Sequence, residues 1–291
     1  MRNYIKKELE NHPDFYSGRL SKRNIFRSLT SNQRILPNFI IIGEAKCGTT
    51  SLYNYLIQHP NIESALTKEI NFFNWSYDKP KNWYKAHFPT SFKQKISEKV
   101  LKKQFLTGEA TPLYLFHSLV PKRIFQILPK VKLIICLRNP IERAYSHYHD
   151  LGVRLGDEQR TFDVAIETEI EILRQKNYNI FDSDNGFSSR LYQYVSRGIY
   201  LPHIKLWMET FDKNQILFVK TEELNNNTSD SVNRVFEFLG TKKFRGINVK
   251  ERFNVSKYKP MNNSTRNLLK EFFLPYNKEL EEYLNIDFNW N

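Results

Sequence analysis

The chain has 291 residues, 40% hydrophobic and 26% charged, with 22 Phe and 16 Tyr; such content supports a packed core and excludes a disordered or low-complexity polymer. The 44 Lys and Arg against 31 Asp and Glu leave a net charge of +13, which points to anionic partners such as a phosphorylated nucleotide or an acidic glycan. No window approaches the ~20 apolar residues of a membrane-spanning helix and the N-terminus has no apolar signal core, so a soluble, cytoplasmic protein without a membrane partner is expected.

In chain order, residues 1–37 read as a polar, basic extension packed on the domain, with Arg19, Lys22, Arg23, Arg27 and Arg34 in a stretch of helical character. Residues 38–291 read as one domain. Parallel strands are predicted at Phe39–Ile42, Gln104–Thr107, Lys132–Leu137 and Gln215–Val219, because short, continuously apolar runs suit strands covered on both faces. Helices are predicted between them at Ser118–Leu128, Ile141–Leu151, Phe162–Lys176, Leu201–Phe211 and Ser231–Leu239, with Pro140 placed to start one and Gly240 to end another. The alternation predicts an α/β fold, a doubly wound parallel sheet flanked by helices, with its ligand beyond the carboxyl ends of the strands. Two stretches read as irregular: Asn74–Ser97, rich in aromatic and basic residues (Trp75, Tyr77, Trp83, Tyr84, His87, Phe88), and Asn177–Arg190. Long loops of this kind shape substrate clefts, and both are expected to do so.

Two cysteines, Cys47 and Cys136, make no disulfide framework, and no Cys/His spacing implies zinc, so reduced thiols and no metal are expected. Basic residues are scattered rather than interleaved with aromatics, and no nucleic-acid partner is expected. The most informative segment is NFIIIGEAKCGTTSLYNYL, Asn38 to Leu56. It reads as strand, anion-binding loop and helix: Gly43 and Gly48 permit tight turning, and amides from Lys46 to Thr50 are free to face an anion at the start of the helix. The loop fails the nucleotide-kinase pattern GxxxxGK[ST], because Thr49 follows Gly48 and the lysine comes two residues earlier.

With its internal lysine and the following CGTTSL, this loop resembles the 5'-phosphosulfate loop of sulfotransferases that use 3'-phosphoadenosine 5'-phosphosulfate (PAPS). LIICLRNPIERAYSHY, Leu133 to Tyr148, is similar to the family's 3'-phosphate block, with Arg138 and Ser146 as the matching residues. TKEINFF, Thr67 to Phe73, resembles the KExxFF segment of the heparan-sulfate branch, where the glutamate serves as base. With a C-terminal match the resemblance runs from about Asn38 to Leu284 and implies a P-loop-type sheet and a soluble, bacterial-type member.

The resemblance implies a reaction and its residues. A sulfuryl group would pass from PAPS to a hydroxyl, or an amine, of a saccharide or small metabolite, with no obligatory metal. Lys46 would stabilise the bridging oxygen, the loop residues Cys47, Gly48, Thr49 and Thr50 would hold the 5'-phosphate, and Glu69 would take the acceptor's proton. Arg138, Ser146 and Lys257 match the 3'-phosphate contacts, and Tyr258 would cover the adenine. Lys68, Glu109, Trp75 and His87 are candidates for the acceptor side; Glu109, ending a strand in GEATP, is the rival to Glu69 as base, and is expected in a supporting role behind the reacting groups, orienting Lys46 or contacting acceptor. Ala110 stands where animal glycosaminoglycan members place a lysine, which weakens the case for a heparan-like polyanion. A P-loop nucleotide kinase, or a non-catalytic nucleotide- or nucleic-acid-binding protein, stays open as an alternative, and the sequence leaves the oligomeric state open.

Overall fold

The structure, a computed structural model, describes residues 27–153, 158–175, 193–249 and 258–290, with the backbone alone for 151–153. The elements in chain order are β1 (Phe39–Gly43), α1 (Thr49–Leu56), β2 (Ile62–Ser64), α2 (Lys81–Lys85), α3 (Ser91–Lys95), β3 (Leu106–Ala110), α4 (Val120–Ile127), β4 (Lys132–Leu137), α5 (Pro140–His147), α6 (Phe162–Gln175), α7 (Leu201–Thr210), β5 (Ile216–Lys220), α8 (Thr221–Asn226), α9 (Thr228–Leu239) and α10 (Asn263–Leu284). The chain groups into two compact units: residues 20–137 with 205–255, and residues 138–204 with 1–19 and 256–291. No helix among the described residues is long and apolar enough to cross a membrane.

The first unit holds the sheet. Its five strands are all parallel in the order β2-β3-β1-β4-β5, so β1 lies centrally and the winding reverses there, the point at which an open α/β sheet makes its ligand crevice. β1, β3 and β4 are buried along almost their whole length, which is why β1 and β4 read as unbroken apolar runs. One face is closed by Leu52, Tyr53 and Leu56 of α1 with Val232, Val235 and Phe236 of α9, packed on Phe39, Ile41, Ile134 and Val219. β3 begins two residues later than predicted and runs on through Gly108 and Glu109. Gly108 fits there because any Cβ would come within 2.5 Å of the Phe39 ring.

The second unit is built on α5, α6 and α10, whose core gathers Ile141, Tyr145, Phe162, Ile166, Val195, Leu269 and Phe273. Asn139 caps α5 by accepting from Ile141 N at 2.9 Å, and Pro140 takes the first helical position as predicted. The backbone continues past His147 in a looser helical turn, Tyr148–Val153. α10 was not among the predicted helices; Asn262 accepts from Ser264 N to start it, and it carries Pro275 inside. The stretch Asn74–Ser97 is likewise more ordered than predicted, since α2 and α3 lie in it, α3 capped by Thr90. Asn177–Arg190 lies outside the described residues.

Candidate functional site

The loop Glu44–Gly48 leaves the carboxyl end of β1 and enters α1. Lys46 and Gly48 both take positive φ, 71° and 76°, so the chain reverses hand twice within three residues; only glycine does this without strain. The first bond of the helical ladder is Leu52 N to Gly48 O at 2.9 Å, which leaves the amides ahead of Leu52 outside it. Gly48, the N-cap, has no side chain to meet them. Lys46 is half-buried beside this helix start. Cys47 departs from the expected donor set: its thiol is buried and its amide already donates to Glu44 O at 3.1 Å.

Thr221, the first residue after β5, was missed by sequence reasoning. Its hydroxyl lies 2.8 Å from Cys47 O and 2.9 Å from Leu137 O, and so shares one proton between the loop and the end of β4. The signal available was positional, a hydroxyl residue directly after a strand on the ligand side of the sheet.

Glu69 sits beside the same sheet edge. Its amide donates to Ala110 O, the last residue of β3, at 2.9 Å, and Ala110 pairs with Ile41 of β1. Its side chain is 46% exposed and ion-paired with Lys68. Glu109, one residue before Ala110, is 0% exposed. Tyr84 Oη donates to its Oε1 at 2.6 Å and Thr111 Oγ1 to its Oε2 at 2.8 Å. Burial pushes the Glu109 carboxyl up to about 7, against the opposing pull of the hydroxyls of Tyr84, Thr111 and Tyr114. The Glu109 carboxylate is enclosed rather than presented to solvent.

The other acceptor-side candidates divide. Trp75 is half-buried, with its amide donating to Asn71 O at 3.1 Å. His87 is 7% exposed, faces Thr67 Oγ1 at 3.4 Å and is pushed down to about 4 by burial and then by Arg27. Tyr84 and Phe88 are fully buried, so these members of the expected cleft-shaping stretch are interior residues: they stack into a ring cluster with Phe72 and Phe73.

In the second unit, Arg138 directly follows β4 and its carbonyl accepts from Tyr200 Oη at 2.9 Å. Ser146 lies on α5 and is 9% exposed. Tyr258 stacks on His149 with ring centroids 4.5 Å apart and meets Tyr145 edge to face at 5.1 Å. Tyr145 Oη in turn donates to Lys259 O at 2.7 Å, which fixes this stretch against α5. Lys257 lies outside the described residues.

The donor set of the β1–α1 loop, with amides at a helix start and a lysine within the loop, suits an oxyanion. The sulfotransferase domain model matches residues 36–282. The heparan sulfate glucosamine 3-O-sulfotransferase 3B1 of Homo sapiens is 30% identical over 90% of this chain and 66% of that protein, and the membrane-associated sulfotransferase kil1 of Dictyostelium discoideum is 26% identical over 88% of this chain and 66% of that protein. Among solved structures, a sulfotransferase from Alicyclobacillus acidocaldarius superposes with a TM-score of 0.64 at 29% identity, covering 87% of this chain and 97% of that one. This chain belongs to the sulfotransferase domain family. It spans about two thirds of the length of the two curated relatives.

Proposed function

We propose that this chain transfers a sulfuryl group from PAPS to a hydroxyl, or an amine, of a saccharide or small-metabolite acceptor. The observation that carries the reading is the β1–α1 loop: its backbone turns at Lys46 and Gly48 into a helix whose first ladder bond starts only at Leu52 N, while Glu69 is docked on the neighbouring strand end with its side chain half exposed. The donor supplies an activated sulfuryl group whose phosphate leaving group carries negative charge. Gly48, Thr49 and Thr50 hold that phosphate through amides and hydroxyls, and Lys46 stabilises the charge that develops on the leaving oxygen. Glu69 accepts the proton of the attacking hydroxyl. Proximity and electrostatic stabilisation of this kind need no covalent intermediate on the protein.

The 3'-phosphate is proposed for Arg138, Ser146 and Lys257 and the adenine for Tyr258, on the strength of their motifs. An arginine fork is suited to two phosphate oxygens at once. The acceptor class follows from the family and stays open between sugar and small metabolite. A cytoplasmic location is part of the proposal, supported by Cys47 and Cys136 being buried thiols rather than a disulfide.

The test is a melting experiment with 3'-phosphoadenosine 5'-phosphate and with ATP plus magnesium, followed by mass-spectrometric detection of sulfated product across an acceptor panel. The desulfo nucleotide should raise Tm well above the effect of ATP, and Arg138→Ala should weaken its binding by about 2 to 4 kcal/mol. Equal stabilisation by the two nucleotides would overturn the reading.

A further inference from the structure

The segment that carries Glu69 has a backbone shape that must be held from outside. Glu69 and Asn71 both adopt positive φ, 59° and 53°, a region that a side-chain-bearing residue keeps only where its surroundings impose it. The imposing contacts come from β3 and the residues after it. Glu69 N donates to Ala110 O at 2.9 Å, and Phe73 N donates to Tyr114 Oη at 3.4 Å. Asn71 Nδ2 closes the turn onto Glu69 O at 2.9 Å. Two rings fix the end of the segment: Phe72 stacks on Tyr84 with centroids 4.7 Å apart, and Phe73 meets Tyr84 and Tyr114 edge to face at 5.0 and 5.7 Å.

One of those tyrosines, Tyr84, is anchored to Glu109: its Oη donates to the carboxyl group at 2.6 Å. Thr111 Oγ1 donates to the other carboxyl oxygen at 2.8 Å. Glu109 thus fixes the ring against which Phe72 stacks and Phe73 sits edge to face, at the end of the Glu69–Phe73 segment. Being 0% exposed, it does this without reaching any substrate. The groups facing it are Tyr84, Tyr114 and Thr111, with Tyr53 also within its field.

We propose that Glu109 is a positioning residue for the reaction: through Tyr84 it locks the segment Glu69–Phe73, and with it the Glu69 carboxylate, in the conformation used for proton transfer. This rests on the reading of Glu69 as the base. It sharpens the sequence expectation of a supporting role by naming the Glu69 segment, rather than Lys46 or the acceptor, as what Glu109 positions.

A double-mutant cycle with hydrogen exchange separates the two ideas. Glu109→Gln should lower kcat by about 10- to 100-fold, the scale of an ångström-size misplacement, while both KM values stay within about twofold. In a Glu69→Gln background the same change should cost about twofold or less, because its effect runs through Glu69. Amides of residues 69–73 should exchange faster in Glu109→Gln, whereas those of β1 should not. Tyr84→Phe removes the single hydroxyl that links Glu109 to the segment and should reproduce the same pattern, which keeps the test available if Glu109→Gln loses the fold. Losses that multiply across the cycle, or unchanged exchange at residues 69–73, would overturn the proposal. Near-normal kcat in Glu69→Gln alone would instead sink the base reading, and exchange of the segment in Glu109→Gln would still decide whether Glu109 holds it.

Discussion

Glu69 and Glu109 stand on either side of one backbone hydrogen bond, Glu69 N to Ala110 O, yet their surroundings are opposite. Glu69 is 46% exposed and paired with a lysine; Glu109 is 0% exposed and ringed by neutral hydroxyls. An exposed carboxylate can meet a solute and exchange protons with it. An enclosed one can only shape what lies around it. The contrast teaches that two acids near a strand end, equivalent candidates by position in the chain, are set apart by burial and by their hydrogen-bond partners, and the proposed division into base and positioning residue rests on that difference.

The sharpest way to break the contrast is Glu69→Gln. It preserves shape and should lower kcat by about 100-fold or more with nucleotide affinity unchanged, measured by steady-state assay and by titration with the desulfo nucleotide. Near-normal turnover would remove Glu69 from the chemistry.

The next effect is thermodynamic. The folded-state value of Glu109, about 7, lies above its ordinary 4.5, so between those values the native state holds a proton that the unfolded chain releases. Its contribution to stability therefore falls as pH rises through that window, by up to about 3 kcal/mol. His87 and His203, pushed down to about 4 and about 3 by burial first, act in the other direction and cost stability as pH falls below their ordinary range. Urea melts of wild type and Glu109→Gln across that range isolate the glutamate: the difference between them should slope with pH, and parallel curves would mean the carboxyl is not desolvated.

Two smaller changes sharpen the comparison. Tyr84→Phe leaves a buried carboxylate oxygen without its donor and should cost about 1.5 to 3 kcal/mol in chemical denaturation. Lys68→Ala removes a partly exposed ion pair and should cost under about 1 kcal/mol. A loss at Lys68 as large as that at Tyr84 would mean the two environments are less different than their exposures.

Much of this was legible from residue type. β1 and β4 read true because central parallel strands are buried on both faces and so are apolar throughout. β3 was placed two residues early because its buried end, Thr107, Gly108 and Glu109, is polar or lacks a side chain; it is interior for reasons of close approach and hydrogen bonding that no apolar pattern records. β2 was missed since only Ile62 of its three residues is buried. α10 was hidden by its Asn-rich start and by Pro275. At the site, the strand, loop and helix around Lys46 were readable because an apolar run followed by glycine-bounded turning has a local signature. The hydroxyl bond from Tyr84 to Glu109 was not, because it joins residues 25 apart in the chain.

Gly108 under the Phe39 ring has a consequence for how this sheet tolerates change. Phe39 is fully buried, so its ring cannot swing aside for a methyl group placed 2.5 Å from it. In a library randomised at both codons, residues 39 and 108 should therefore be recovered as matched pairs, a side chain at one purchased only by truncation at the other, and never as independent columns.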